Sequence, residues 1–244
     1  MLARHTGRIR RVDVRDRSVL HGASAAGFAR ALRGRRFLAP RRHGKWLIAR
    51  TDGRPIVLFH FGMTGALLWE GAGERAAPHD RVVFALERGE LRYNDLRKLQ
   101  GLWLAQNEAA VERLLARLGP DALHIDRKAF DRVLERRGKL KTVLADQSVI
   151  AGLGNLLVDE ICWRARIHPL RPARRLNAAE CSRLYREMRR VLRAAIPTGR
   201  VPPRDSWLTG QRDKARGACP RCGKALSRRR VGERTTVWCA RCQA

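Results

Sequence analysis

Four cysteines near the C-terminus set the tightest constraint on how this chain can fold. Cys219-Pro220-Arg221-Cys222 and Cys239-Ala240-Arg241-Cys242 give the spacing C-x2-C-x16-C-x2-C. A hairpin would bring these two knuckles together and offer four thiolates in the tetrahedral arrangement that Zn²⁺ takes. Two disulfides or a redox pair are the other uses of such cysteines. The tail that carries them is only about 40 residues long and cannot fold without a staple. One structural zinc ion is therefore expected on Cys219, Cys222, Cys239 and Cys242. Four thiolate ligands leave no coordination position open, so the metal holds shape and performs no chemistry. Cys162 and Cys181 fall on apolar helix faces and read as small buried hydrophobes.

Charge narrows the function classes. Lys and Arg total 52 against 23 Asp and Glu, a formal net charge of +29, far beyond what solubility requires. The basic residues are spread along the whole length, which points to a folded cationic surface and a polyanionic partner. A merely solvated basic surface is the plainer alternative. An anionic membrane surface is the third, but the longest apolar stretch, Ile56 to Trp69, is broken by His60 and Thr64 and is too short to span a bilayer. Met1-Leu2-Ala3-Arg4-His5 has no apolar h-region, so no secretory signal is expected and a reducing cytoplasm is the default.

Periodicity divides the chain. Strand signals fill the first hundred or so residues. Val12, Val14 and Val19 lead in, Trp46 to Ala49 and Ile56 to Phe61 flank Asp52-Gly53, and Val82 to Leu86 and Leu91 to Tyr93 flank Arg88-Gly89-Glu90. A helix capped at Ser24, with Phe28 and Leu32 on one face and a stop at Gly34, interrupts them. From Asn107 the period becomes helical, with Val111, Leu114, Leu115 and Leu118 on one face. Further helices are expected around Phe130 to Leu134, after Ala151-Gly152-Leu153-Gly154-Asn155, and from Asn177, where Glu180 completes a capping box. Val201-Pro202-Pro203 reads as a linker. The expected domains are 1–104, 105–200 and 201–244.

Glycines just before a helix let the backbone approach a ligand, and the unpaired N–H groups there attract an anion. Gly152-Leu153-Gly154-Asn155 has that placement. The run Leu144 to Asn155, followed by Asp159-Glu160 and Ile167-His168-Pro169, closely resembles the helix-two-turn-helix signature of the formamidopyrimidine-DNA glycosylase/endonuclease VIII family. The resemblance extends to the four-cysteine finger ending in Cys242-Gln243. It implies an α+β multidomain fold: an N-terminal β-sandwich, a helical helix-two-turn-helix domain and a C-terminal four-cysteine zinc-finger hairpin.

It also implies a base-excision-repair DNA glycosylase/AP lyase that acts as a monomer on damaged double-stranded DNA in the cytoplasm, at the nucleoid. Arg41-Arg42-His43-Gly44-Lys45 resembles the hairpin whose lysine assists the chemistry, which gives Lys45 that role. Arg234 matches the finger arginine of the later elimination step. His60-Phe61-Gly62-Met63-Thr64-Gly65 is similar to the turn that puts a wedge into the gap left by a flipped base, making Met63 the wedge; by residue type alone Met63 reads as core. His79 and Arg97 match DNA contacts, Arg97 facing the orphaned base. Leu99 stands where many members carry an aromatic wedge. Lys141 matches a lysine near the lesion, and Gly154 and Asn155 the phosphate-binding turn. Arg228, Arg229 and Arg230 on the finger hairpin suit phosphate contacts.

The pattern departs from the family in two places. The family's nucleophile is an N-terminal proline amine followed by a catalytic glutamate, and this sequence opens inside what would be the first strand region. The expectation is a start further upstream that restores both, the alternative a non-catalytic protein that binds damaged DNA or abasic sites. Only about sixteen residues separate Pro203 from Cys219, short for a capping loop, so an oxidised-pyrimidine or broad lesion preference is expected.

Overall fold

Alternation builds the first half of the molecule. In the strand Ile56–His60 (β5), Val57 and Phe59 point to one face and Ile56 and Leu58 to the other, and all four are buried, so this strand must be covered on both sides. The computed structural model, which describes residues 7–199, 201–202 and 204–243, shows how. β5 sits inside a five-stranded sheet with Leu20–His21 (β2), Arg41–His43 (β3), Trp46–Arg50 (β4) and Gly101–Ala105 (β9), in the order β2-β9-β5-β4-β3. Ile9–Val14 (β1), Ala66–Glu70 (β6), Asp80–Leu86 (β7) and Gly89–Asn94 (β8) form a second sheet in the order β1-β7-β8-β6. Val57, Phe59 and Leu102 of the first sheet share one core with Val12, Phe84, Leu91 and Tyr93 of the second. This is the expected β-sandwich.

The first helix, Ala25–Leu32 (α1), starts where the sequence says. Ser24 Oγ accepts from Gly27 N at 3.1 Å, Phe28 and Leu32 are fully buried, and Gly34 takes φ +79°. The helix Glu108–Leu115 (α2) is capped by Asn107. Although periodicity makes it the opening of the helical region, it covers the outer face of the five-stranded sheet, with Val111 against Ile48, Ile56 and Leu58 and Glu108 paired with Arg50. That sheet face is apolar and needs a cover, which periodicity within α2 alone cannot reveal. Leu118 lies beyond the helix.

The chain divides into two compact units, Met1–Ala116 and Arg117–Ala244. The second contains Arg127–Leu134 (α3), Leu140–Ala145 (α4), Asn155–Arg164 (α5), Ala178–Ala195 (α6), the short helix Leu208–Arg212 (α7) and the hairpin Ser227–Val231 (β10) with Arg234–Trp238 (β11). The capping box at α6 is present: Glu180 N donates to Asn177 Oδ1 and Asn177 N to Glu180 Oε2, both at 2.9 Å. α4 was missed because one and a half turns carry too little periodicity. The linker reading of 201–203 is corrected in part, since Val201 packs against the helical core and Pro202 is buried, and Trp207 and Leu208 beyond it are buried too. Its Pro203, like Met1 to His5, lies outside the described residues. No described helix is long and apolar enough to cross a membrane. Cys162 is fully buried, Cys181 partly.

Candidate nucleic-acid interface

In the strand unit, the expected residues gather at one end of the sandwich. Trp46 pairs with His60 across β4 and β5, which brings Lys45, just before β4, beside the turn that follows β5. The Lys45 side chain is half-buried. Burial, and secondarily the Lys45 charge, pushes the His60 imidazole down to about 4, so this ring is neutral near pH 7. Its Nδ1 then accepts from Gly62 N at 3.2 Å. Gly62 takes φ +58°, and a Cβ on Gly65 would meet Phe61 O at 2.5 Å, so the turn closes only with glycine there. Met63 is thrown outward, 75% exposed.

The loop after β8 meets this turn. Leu99 is 49% exposed, and Arg97 Nη1 donates to Met63 Sδ at 3.2 Å. Asp95 joins the two segments from below and is nearly fully buried. Its Oδ1 accepts from Thr64 Oγ1 at 2.5 Å and from Arg97 N at 3.1 Å, and its Oδ2 from Tyr93 Oη at 3.2 Å. His79, half-buried, is tied in through its carbonyl, which accepts from Asp95 N at 2.9 Å, and through its ring beside Arg81 Nη2 at 3.3 Å. Asp95 had no role in the sequence reading. Its only signal was a carboxylate directly after a strand, in Tyr93-Asn94-Asp95, where a turn needs an acceptor.

In the helical unit, Gln147 stitches the glycine turn. Its Nε2 donates to Ala145 O at 3.0 Å and Leu153 O at 2.8 Å, and its Oε1 accepts from Gly152 N at 3.0 Å. Gly154 is the N-cap of α5 and has no side chain to cap it. Asn155 opens the helix with its buried Oδ1 unpartnered. The finger hairpin reaches the same place, for Arg234 Nη1 donates to Ala145 O at 3.1 Å. Thus Gln147 and Arg234 share one carbonyl, and the phosphate-type turn and the finger arginine are neighbours.

Lys141 lies elsewhere than a solvent-facing contact would. It is 2% exposed, and its ammonium donates to Asp159 Oδ1 at 2.6 Å and Thr235 O at 2.9 Å. Arg212 closes the ring with Nε to Asp159 Oδ2 at 3.0 Å and Nη2 to Thr235 O at 2.8 Å. A buried ammonium needs such partners. In this structure the Lys141 charge is turned inward, onto the strand that carries Arg234. The sequence marks Asp159 only as part of the family run and gives neither it nor Arg212 a role, because an ion pair 53 residues apart in the chain has no local signature.

The four cysteines converge. Their sulfurs lie within 4.8 Å of one another, with Cys222 and Cys239 at 3.6 Å and Cys219 and Cys242 at 3.9 Å. Zinc–sulfur bonds of about 2.3 Å in a tetrahedron put sulfurs about 3.8 Å apart, so the cluster fits Zn²⁺ and is far too open for disulfides. Trp163 Nε1 donates to Cys219 Sγ at 3.3 Å, the kind of outer contact that orients a ligand. Gln243 locks the second knuckle: its Oε1 accepts from Cys239 N at 2.8 Å and its Nε2 donates to Ile167 O at 3.0 Å.

The sequence matches three family models in order: the formamidopyrimidine-DNA glycosylase N-terminal domain over residues 2–102, its H2TH domain over 118–204, and the zinc finger found in FPG and IleRS over 218–244. This chain belongs to the formamidopyrimidine-DNA glycosylase family. Relatives of that name include one from Herpetosiphon aurantiacus, 38% identical over 89% of this chain and 85% of its own. Another, from Heliobacterium modesticaldum, is 37% identical over 96% and 92%. The Lactococcus lactis Fpg in complex with abasic-site DNA superposes with TM-score 0.84 at 26% identity, over 98% of this chain and 93% of that one. The four-cysteine cluster is accordingly the family's structural zinc site.

Proposed function

We propose that this chain, a DNA glycosylase and AP lyase of base excision repair, recognises a damaged base through the paired loops that present Met63 and Arg97. The observation that carries the reading is the exposure of Met63. A thioether 75% open to solvent, held on a glycine-closed turn with a guanidinium on its sulfur, suits insertion into a gap in the base stack. Extruding a nucleotide forfeits a few kcal/mol of stacking, and an apolar side chain in the gap recovers part of it. Arg97 then faces the orphaned base, with Leu99 and His79 as further contacts. The uncapped N-terminus of α5, with Gly154 and Asn155, suits a backbone phosphate, and Arg234, beside it, suits charge stabilisation during strand elimination. Lys45, next to a neutral His60, contacts phosphate and assists proton transfer. The zinc fixes the finger hairpin and takes no part in bond making. We further assign the chain a monomeric state, a cytoplasmic, nucleoid-associated location and a preference for oxidised pyrimidines or a broad lesion set.

Borohydride trapping on duplexes containing an oxidised base tests the catalytic reading. It should be run on the protein isolated from its native source. A covalent adduct is the expected result; its absence would favour a non-catalytic binder of damaged DNA. Under either reading Met63→Ala weakens binding to abasic-site DNA, and unchanged affinity would remove Met63 from the interface.

A further inference from the structure

One strongly charged hollow is not absorbed by this function. An open concavity of about 350 Å³ is lined by Arg30, Ala31, Arg33, Gly34, Arg35, Arg54, Pro55 and Gln106. Four arginines line it and no acidic residue does. All four arginines are exposed, and none has an ion pair among the described residues. The acid beside them in the turn, Asp52, is already engaged: it lies 3.8 Å from Arg8 Nη1 and accepts from Arg36 N at 3.0 Å. Arg35 is also seated in place. A Cβ on Gly53 would meet its Nη1 at 2.6 Å, so the glycine lets the guanidinium lie across the turn. Like charges grouped around one hollow repel, and an anion with several oxygens relieves them. Guanidinium forks match phosphate oxygens in geometry.

The position of the hollow decides which phosphates. Lys45 and Met63 flank the Trp46–His60 end of the β4–β5 hairpin, and Arg54 lies in the turn at the opposite end, beyond the Arg50–Ile56 pair. Five residues of strand separate those ends by about 17 Å. We propose that Arg30, Arg33, Arg35 and Arg54 form a second phosphodiester site, which takes a segment of undamaged duplex DNA while the Met63 end holds another. Such a site lets the protein pass between duplexes without first becoming free in solution, a step beyond the sliding and hopping that backbone attraction already permits. The inference rests on the DNA-binding reading above and adds a second occupant.

The test preforms the complex of the full chain with a fluorescent abasic-site duplex and chases it with rising concentrations of unlabelled undamaged duplex. The dissociation rate is expected to climb with competitor concentration. In the triple variant Arg30→Gln, Arg33→Gln, Arg54→Gln it should become independent of competitor, with affinity for the abasic duplex unchanged. The salt dependence of second-duplex binding should fall by about 2 to 3 in log–log slope, near 0.9 per lost phosphate contact. A competitor-independent rate in the unmodified chain overturns the proposal. So does a variant whose abasic-duplex affinity falls, because the arginines would then touch the same duplex as Met63. Failure of the unmodified chain to hold the abasic duplex at all would instead refute the DNA-binding reading, and this inference with it.

Discussion

The strand unit and the finger hold exposed side chains in place by different means. In the strand unit a continuous core that includes Phe28, Phe59, Phe84 and Tyr93 makes the frame rigid, and one carboxylate, Asp95, suffices to set Met63 and Arg97. The finger contributes only Val237 and two cysteines to the fully buried part of its cluster, which otherwise rests on Trp163 and Leu208. It therefore depends on four thiolates and a ring of charges around Asp159. A short segment that cannot bury enough apolar area replaces packing with metal and ion pairs. The difference teaches where each half is fragile: the strand unit should bend locally, the finger should fail as a whole.

Removing zinc makes the sharpest break. Structural zinc sites contribute on the order of 10–16 kcal/mol of apparent binding energy, so chelation or Cys219→Ser should unfold the finger and abolish binding to abasic-site DNA. The strand unit's own melting should stay in place. Metal analysis with calorimetry checks this, and a metal-free finger that still protects its amides would erase the contrast.

Asp159→Asn comes next. It leaves Lys141 buried without its anion and Arg212 with only the exposed Asp213, at a cost of about 3–5 kcal/mol. Hydrogen exchange should show the loss in β11 and α5 and leave β5 untouched. Spread of the effect into the strand unit would mean that the two halves are not separately held.

A smaller effect is expected at Asp95. Asp95→Ala strands the Thr64 hydroxyl proton and leaves the Arg97 amide with only Thr64 Oγ1 to accept from it, about 1–3 kcal/mol, and should weaken abasic-duplex binding with little change in zinc content. Acid gives a separate test of the same unit. The His60 pKa is depressed to about 4 from a usual 6.5, so the unfolded chain binds the extra proton first. Stability from this group is complete above about 6.5 and is lost as pH falls toward 4. His60→Gln should flatten that part of the strand unit's pH profile; an unaltered profile would place the imidazole in solvent.

Much of the fold was readable in local pattern. The caps at Ser24, Asn107 and Asn177, the hairpin around Asp52-Gly53, the metal knuckles and the Gly154-Asn155 helix start are written in residues a few positions apart, whereas the outward Met63 came only through the family resemblance, its residue type alone reading as core. The misses share a cause. α4 is too short to show a period, α2 lies on a sheet whose apolar outer face is assembled from three strands, and the segment around Trp207 and Leu208 has no repeat to mark it as core.

By itself the sequence determined the order of strands, helices and finger, the zinc ligands and the cationic character, because each depends on neighbours in the chain or on simple sums. Tertiary structure alone decided that Asp95 binds two loops, that Ala145 O is shared by Gln147 and Arg234, that Lys141 faces inward, and that four arginines ring one hollow. Those facts depend on which distant segments pack together, and distance along the chain carries no record of it.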